Sequence, residues 1–101
     1  VENNINTVCV VMNNGTWGAE AAYQKDFFEG RYIGAHITTP EFDKVAELYG
    51  CKGIKVEKTA EIGDAIKAGI ESECPTVIDV QCSPDALYSF RQDSFKHKVK
   101  Q

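Results

Sequence analysis

The sequence has no long apolar run, no surplus of positive charge and very little histidine. The longest unbroken apolar run, Val8 to Met12, is far too short to span a bilayer. Lysine and arginine number 11 against 15 acidic residues, which gives a net charge of −4. No basic stripe is therefore present for nucleic acid or an anionic membrane surface, and we expect neither as a partner.

Cysteine patterns that bind metal are also missing. The four cysteines form no CxxC pair, and the two histidines lie far from them in sequence. The cysteines are Cys9, Cys51, Cys74 and Cys82. A structural zinc site needs closer spacing or histidine neighbours. We therefore expect buried free thiols in a reducing compartment, the cytoplasm, and no metal bound by cysteine.

What the sequence does contain is an alternation of strand-like and helix-like segments. The chain has 101 residues, of which 43% are hydrophobic and 26% charged, as in an ordinary globular domain or part of one. Thr7 to Met12 is apolar on both faces, which is typical of a buried parallel strand, and Thr76 to Cys82 is predicted to be a second buried strand. Gly53 to Glu57 is a shorter candidate strand.

Helical spacing of apolar residues predicts three helices between these strands. The first covers Trp17 to Phe28, with Trp17, Ala21, Gln24 and Phe28 on one stripe. The second begins with Thr39 as N-cap and Pro40 at the first helical position, and ends at Gly50. The third begins at Thr59 as N-cap and carries an apolar stripe of its own. That stripe consists of Ile62, Ala65, Ile66, Gly69 and Ile70.

The order β-α-α-β-α-β predicts an α/β fold with an open, mostly parallel sheet and flanking helices. Residues 1–82 are expected to form this domain, and residues 83–101 a C-terminal arm that packs on this domain or on a partner. Three strands leave sheet edges open, and open edges recruit other strands. We expect the isolated chain to dimerise, to swap elements or to be poorly stable.

The corner after the first strand has unusual chemistry. Residues 11–20 read VMNNGTWGAE, with two amides and two glycines between a strand and a helix. Ligands of parallel α/β sheets bind beyond the carboxyl ends of the strands. Amide and carbonyl oxygens suit Mg²⁺ or Ca²⁺, and a helix N-terminus suits a phosphate. A plain Asn-Asn-Gly turn is the alternative.

An ordered series of motifs resembles a known family. The apolar strand ending in Asn13-Asn14 is followed by Arg31-Tyr32, Pro40-Glu41-Phe42, Tyr49-Gly50 and the run from Pro75 to Val80. This order resembles the last part of the cofactor-binding domain of thiamine-diphosphate enzymes, the pyruvate decarboxylase and acetolactate synthase superfamily. Within it, the stretch WGAE at residues 17–20 is similar to the sulfoacetaldehyde acetyltransferases. The resemblance implies thiamine diphosphate and Mg²⁺ as cofactors.

The resemblance also implies roles for individual residues. The Asn14 side chain and the Thr16 backbone carbonyl correspond to Mg²⁺ ligands of the family, and Glu20 corresponds to a residue that transfers protons near the substrate. The glutamate that activates the cofactor lies in another domain of these enzymes, usually of a neighbouring subunit. The cofactor-binding residues implied are Asn13, Asn14, Gly15, Thr16, Trp17 and Gly18.

One departure from the family pattern limits what this chain can do. The Gly-Asp-Gly or Gly-Asp-Ala that opens the family motif is missing, and Gly63-Asp64 lies downstream of Asn13 in a helical pattern. The chain therefore carries about half of the cation site. Alone it is expected to be inactive, and to act on a small molecule only with the rest of the enzyme and a second subunit, in a homo-oligomer.

Three functions fit the sequence. The chain is expected to be the C-terminal piece of a sulfoacetaldehyde acetyltransferase, which converts sulfoacetaldehyde and phosphate to acetyl phosphate and sulfite. A piece of an acetolactate synthase or 2-keto acid decarboxylase is the first alternative. A non-catalytic α/β binding module is the second.

Overall fold

The computed structural model describes residues 2–85, which form an α/β fold. The elements follow in the order β1 (Val8–Asn13), α1 (Gly18–Phe27), α2 (Phe42–Leu48), β2 (Lys52–Val56), a 3₁₀ turn (Thr59–Glu61), α3 (Ile62–Glu71) and β3 (Thr76–Gln81). They divide into two compact units. The first unit contains residues 2–14 and 39–82, and the second contains residues 15–38 and 83–85. Residues 86–101, most of the expected arm, lie outside the described residues.

The first unit is built on a three-stranded parallel sheet in the order β1-β3-β2. Thr76 at the start of β3 is opposite both Val8 and Lys52, so the three strands start in register. Backbone bonds from Thr76 to the Thr7 carbonyl and from Lys52 to the Pro75 carbonyl, each 2.9 Å long, fix that start. The predicted open parallel sheet with flanking helices is confirmed.

The two faces of this sheet carry different helices. On one face a buried cluster of Val56, Ala65, Ile78 and Val80 joins α3 to β2 and β3. On the other face α2 packs against β2 so closely that a side chain on Gly53 would collide with the backbone carbonyl of Asp43. Because side chains alternate along a strand, each face needs its own set of small or apolar residues.

The start of α2 differs from the sequence expectation. The helix begins at Phe42, and its N-cap residue Glu41 makes no side-chain capping bond. Instead the buried carboxylate of Asp79 on β3 accepts a 2.9 Å hydrogen bond from the Phe42 N–H. The prediction of Thr39 as N-cap and Pro40 as first helical residue was wrong, because a neighbouring strand supplies the cap.

The start of α3 also differs. Thr59 opens a 3₁₀ turn and makes no side-chain capping bond, and the α-helix begins at Ile62. Of the predicted stripe, Ala65 and Gly69 are buried, whereas Ile70 is 67% exposed. Gly50 adopts φ +75° after α2, as expected of the residue that ends that helix.

The strand β1 is far more exposed than its composition predicts. Val10 is 38% and Met12 63% exposed, and the Cys9 side chain is exposed as well. Among residues 2–85, β1 pairs only with β3, so one of its edges is open. The expectation of a strand buried on both faces was wrong for β1, while the central strand β3 is buried as predicted. The expectation of buried thiols was wrong as well, because Cys51, Cys74 and Cys82 are only half-buried.

The second unit consists of α1 and the loop that follows it. Ala21 and Ala22 are the buried residues of this helix. Two members of the predicted apolar stripe, Trp17 at 60% and Phe28 at 53%, are exposed, so that part of the prediction was wrong. No helix within residues 2–85 is long and apolar enough to cross a membrane.

Candidate cofactor site

The carboxyl end of β1 is held firmly in the first unit. The Asn13 carbonyl accepts a 2.8 Å bond from the Cys82 N–H, and the Asn13 side-chain oxygen accepts a 3.4 Å bond from the Thr39 hydroxyl. Both bonds fix the last residue of the strand. The next residue, Asn14, is therefore presented from a rigid strand end, and its amide is half-buried.

The second unit begins at Gly15, where a left-handed residue and a short antiparallel bridge constrain the backbone. Gly15 adopts φ +66°, a left-handed conformation that strains any residue with a Cβ. Thr16 then forms an antiparallel bridge with His36. The bridge consists of a 2.6 Å bond from the Trp17 N–H to the Ala35 carbonyl and a 3.1 Å bond from the Ile37 N–H to the Gly15 carbonyl.

This bridge determines what Thr16 can contribute. Its two bonds use the carbonyl of Gly15 and the N–H of Trp17, so the carbonyl of Thr16 itself takes no part in them. In an antiparallel pair of this kind, the peptide groups of the central residue point away from the opposite chain. The Thr16 carbonyl is therefore directed away from residues 35–37 by a fixed backbone.

The helix α1 begins immediately afterwards. Its N-cap residue, Trp17, makes no side-chain capping bond, so the cap leaves the first-turn N–H groups to other acceptors. A helix N-terminus of this kind favours a negatively charged group. Glu20 lies in the first turn with an exposed side chain.

By chemical type, the end of the first unit and the start of the second each carry donors that suit a hard cation or a phosphate. They offer an amide oxygen and a backbone carbonyl, which suit Mg²⁺, and N–H groups at a helix start, which suit phosphate oxygens. No group of three or more histidine, cysteine or acidic side chains in residues 2–85 could hold a metal ion.

The strand, the corner and the helix start match one family of domains. The family described as thiamine pyrophosphate enzyme, C-terminal TPP binding domain, matches residues 1–80. The chain belongs to this family. This match confirms the resemblance to thiamine-diphosphate enzymes that the order of the motifs indicated.

The chain is also similar in sequence to parts of several longer, curated enzymes. The chain is 29% identical to the sulfoacetaldehyde acetyltransferase of Castellaniella defragrans, over 99% of the chain and 17% of that enzyme. It is 32% identical to the mitochondrial acetolactate synthase catalytic subunit of Saccharomyces cerevisiae, over 71% of the chain and 10% of that protein. It is 34% identical to the acetolactate synthase of Mycobacterium bovis, over 75% of the chain and 13% of that enzyme. The chain thus spans about one sixth of the length of its first curated relatives.

Other residues considered in the sequence have plainer roles in the structure. His36 is exposed and contacts Tyr32 edge-on, with ring centroids 5.0 Å apart. Arg31 donates from Nε to the Phe28 carbonyl at 3.1 Å. The exposed Lys55 of β2 pairs with Glu41 at 3.3 Å and Glu57 at 3.9 Å.

The electrostatic effect on Lys55 is a surface effect. Its pKa lies above the ordinary value of 10.5, chiefly because its ammonium donates a hydrogen bond to Glu41 and interacts with that carboxylate's charge. Exposed ion pairs of this kind contribute little to stability. The ion pairs of Lys55 with Glu41 and Glu57 therefore hold side chains together at the surface near the start of α2.

Two structural residues escaped the sequence analysis. The sequence pattern around Asp79 indicates no role for it. In the structure Asp79 caps α2, because the register of β3 brings its carboxylate to the start of that helix. Gln24 lies on the predicted apolar stripe of α1, but its side-chain amide forms two hydrogen bonds with the backbone of Ile33. It donates to the Ile33 carbonyl at 3.0 Å and accepts from the Ile33 N–H at 3.1 Å. The first role depends on a contact between residues 37 positions apart, and the second on a loop that returns to α1 after nine residues.

Proposed function

We propose that this chain is the C-terminal part of a sulfoacetaldehyde acetyltransferase, which converts sulfoacetaldehyde and phosphate to acetyl phosphate and sulfite. The observation that carries the proposal is the similarity to the Castellaniella defragrans enzyme of that name over 99% of the chain. The acetolactate synthases match over 71% and 75%. The WGAE stretch at the start of α1 supports the same choice.

In this proposal residues 13–18 hold Mg²⁺ and the diphosphate of the cofactor. The Asn14 amide oxygen and the Thr16 carbonyl supply two oxygen ligands, and Asn13 holds the strand end in place through its bond with Thr39. Gly15 and Gly18 carry no side chain and so allow the backbone to approach the diphosphate. Trp17, whose own N–H is bonded to the Ala35 carbonyl, lies against the diphosphate in this proposal. Thiamine diphosphate, if bound there, would supply a nucleophilic thiazolium carbon.

Glu20 is the residue of this chain proposed to move a proton. It lies in the first turn of α1 with an exposed side chain. A carboxylate in that place can accept a proton from a bound substrate or return it. The remaining ligands, the cofactor-activating glutamate and most substrate contacts come, in this proposal, from the rest of the enzyme and a second subunit, in a cytoplasmic homo-oligomer.

A product assay on the full-length enzyme tests the assignment. With sulfoacetaldehyde, phosphate, Mg²⁺ and thiamine diphosphate, we expect sulfite and acetyl phosphate to appear in equal amounts. With pyruvate alone, we expect no acetolactate. Acetolactate without sulfite would replace the proposal by the second candidate, acetolactate synthase, which the 34% identity to the Mycobacterium bovis enzyme favours. Neither product would leave a non-catalytic binding module.

A further inference from the structure

The second unit carries an apolar groove that the cofactor site does not use. The groove has a volume of about 490 Å³ and is lined by Gln24, Phe28, Arg31, Tyr32 and Ile33. It lies where α1 ends and the following loop folds back along the helix. Ile33 is 83% exposed, Phe28 53% and Tyr32 42%, so the lining is largely an uncovered apolar surface.

Two polar groups of this groove, the Gln24 amide and the Arg31 Nε, bond to backbone groups of the same segment. The Gln24 amide donates to the Ile33 carbonyl at 3.0 Å and accepts from the Ile33 N–H at 3.1 Å. The Arg31 Nε donates to the Phe28 carbonyl at 3.1 Å. A ligand in the groove therefore meets rings and aliphatic carbon, with one positive charge at the rim. This surface favours apolar side chains over a polar small molecule.

The described chain ends beside the same groove. Pro84 and Asp85 line a neighbouring depression with Lys25, Tyr32 and His36. Tyr32 is a wall of both depressions. A 3.2 Å bond from the Asp85 N–H to the Ser83 hydroxyl fixes the last described turn. The chain that continues from Asp85 therefore starts next to the apolar groove.

We propose that residues 86–95 of the same chain dock in this groove and cover it. Their sequence, ALYSFRQDSF, contains Leu87, Tyr88, Phe90 and Phe95. Burying these side chains against Phe28, Tyr32 and Ile33 removes apolar surface of both partners from water. The proposal does not depend on the proposed function.

Length and charge select this segment. An extended chain reaches about 7 Å in two residues and about 17 Å in five, so Leu87 and Phe90 can both reach a groove that begins at Tyr32. Residues 86–95 carry one arginine and one aspartate, so their charges cancel. Residues 96–101 contain three lysines and a histidine, and the positive charge of Arg31 disfavours them.

A photo-cross-linker placed in the groove of the full-length protein tests this docking. Ile33 is replaced by p-benzoylphenylalanine, which an exposed position tolerates, and Leu48, 86% exposed in the first unit, receives the same replacement as a control. After irradiation, peptide mass spectrometry identifies the partner. We expect position 33 to cross-link to residues 86–95, and position 48 not to do so.

A mixture of ¹⁵N-labelled and unlabelled protein decides which chain supplies the segment. Cross-linked peptide pairs in which both members carry the same label support docking within one chain. Mixed pairs would show a second copy in the groove and would overturn the proposal. A cross-link to any other segment or protein, or none above the level of the control, would overturn it too.

Hydrogen exchange provides a second, independent readout. In the full-length protein, the double substitution Leu87→Asp and Phe90→Asp is expected to increase deuterium uptake of residues 28–33 severalfold. The exposed control Leu48→Asp is expected to leave that uptake unchanged. Unchanged uptake in the double variant, with the fold intact by circular dichroism, would contradict the docking.

Discussion

At the scale of single residues, two glycines of the first unit differ sharply in what they tolerate. An added Cβ at Gly53 would collide with the backbone of Asp43, because α2 packs directly on that point of β2. An added Cβ at Gly63 in α3 meets nothing within 4 Å. The sequence shows both as ordinary glycines, and only the packing separates them.

We expect the two substitutions to change stability in opposite directions. Gly53→Ala should lower the free energy of unfolding by about 1–3 kcal/mol, because the helix must shift to admit the methyl group. Gly63→Ala should leave it unchanged or raise it by up to about 1 kcal/mol, because alanine restricts the unfolded chain and favours the helix. Urea denaturation of both variants measures the difference. Equal effects would contradict the close packing of α2.

Asp79 is the second residue whose effect we predict. It is fully buried, and accepts bonds from the Phe42 N–H at 2.9 Å and from Gln81 Nε2 at 3.0 Å. Asp79→Ala should cost about 1–3 kcal/mol, because two part-buried hydrogen bonds lose their acceptor. Asp79→Asn should keep most of the stability, because its amide oxygen still accepts from Phe42. Thermal denaturation distinguishes them, and an alanine variant as stable as the asparagine variant would rule out the cap.

At the scale of elements, composition predicted which segments are strands and helices, but it could not predict where α2 begins. Thr39 and Pro40 form a good local start signal. The Thr39 hydroxyl bonds Asn13 instead, and the capping oxygen comes from Asp79 on β3. A residue 37 positions away decides the boundary, and single-sequence patterns contain no such information.

The strand β1 shows the same limit for burial. Its apolar run is typical of a strand covered on both faces, and in β3 the same kind of run is buried. In residues 2–85, α3 covers β3 and β2 but leaves Val10 and Met12 of β1 exposed. The sequence therefore predicted correctly that β1 is a strand, but it could not predict how much of that strand the other residues of 2–85 cover.

The corner after β1 was the most predictable part of the site. Two asparagines, two glycines and a helix start are local features, and the structure places Asn13 at a strand end and Glu20 in the first turn of α1, as expected. The bridge between Thr16 and His36 was not predictable, because it depends on how the loop after α1 returns.

At the scale of the whole molecule, we expect the open edge of β1 to determine whether the isolated chain self-associates. We predict that residues 1–101 alone self-associate or unfold readily, because an apolar edge recruits another strand. Met12→Lys, which places a charge on the 63% exposed side chain, should reduce self-association. The matched control Ile70→Lys, 67% exposed on α3, should not. Sedimentation velocity measures both, and a monodisperse, stable wild-type monomer would contradict the prediction.

The central claim is that residues 13–18 hold half of a Mg²⁺–diphosphate site, and calorimetric titration of thiamine diphosphate with Mg²⁺ into the full-length enzyme tests it most directly. Asn14→Ala should abolish measurable cofactor binding, because Mg²⁺ loses an oxygen ligand. Asn3→Ala, at an exposed asparagine, serves as the control and should bind as the wild type does. Unchanged cofactor affinity in the folded Asn14→Ala variant would contradict the account.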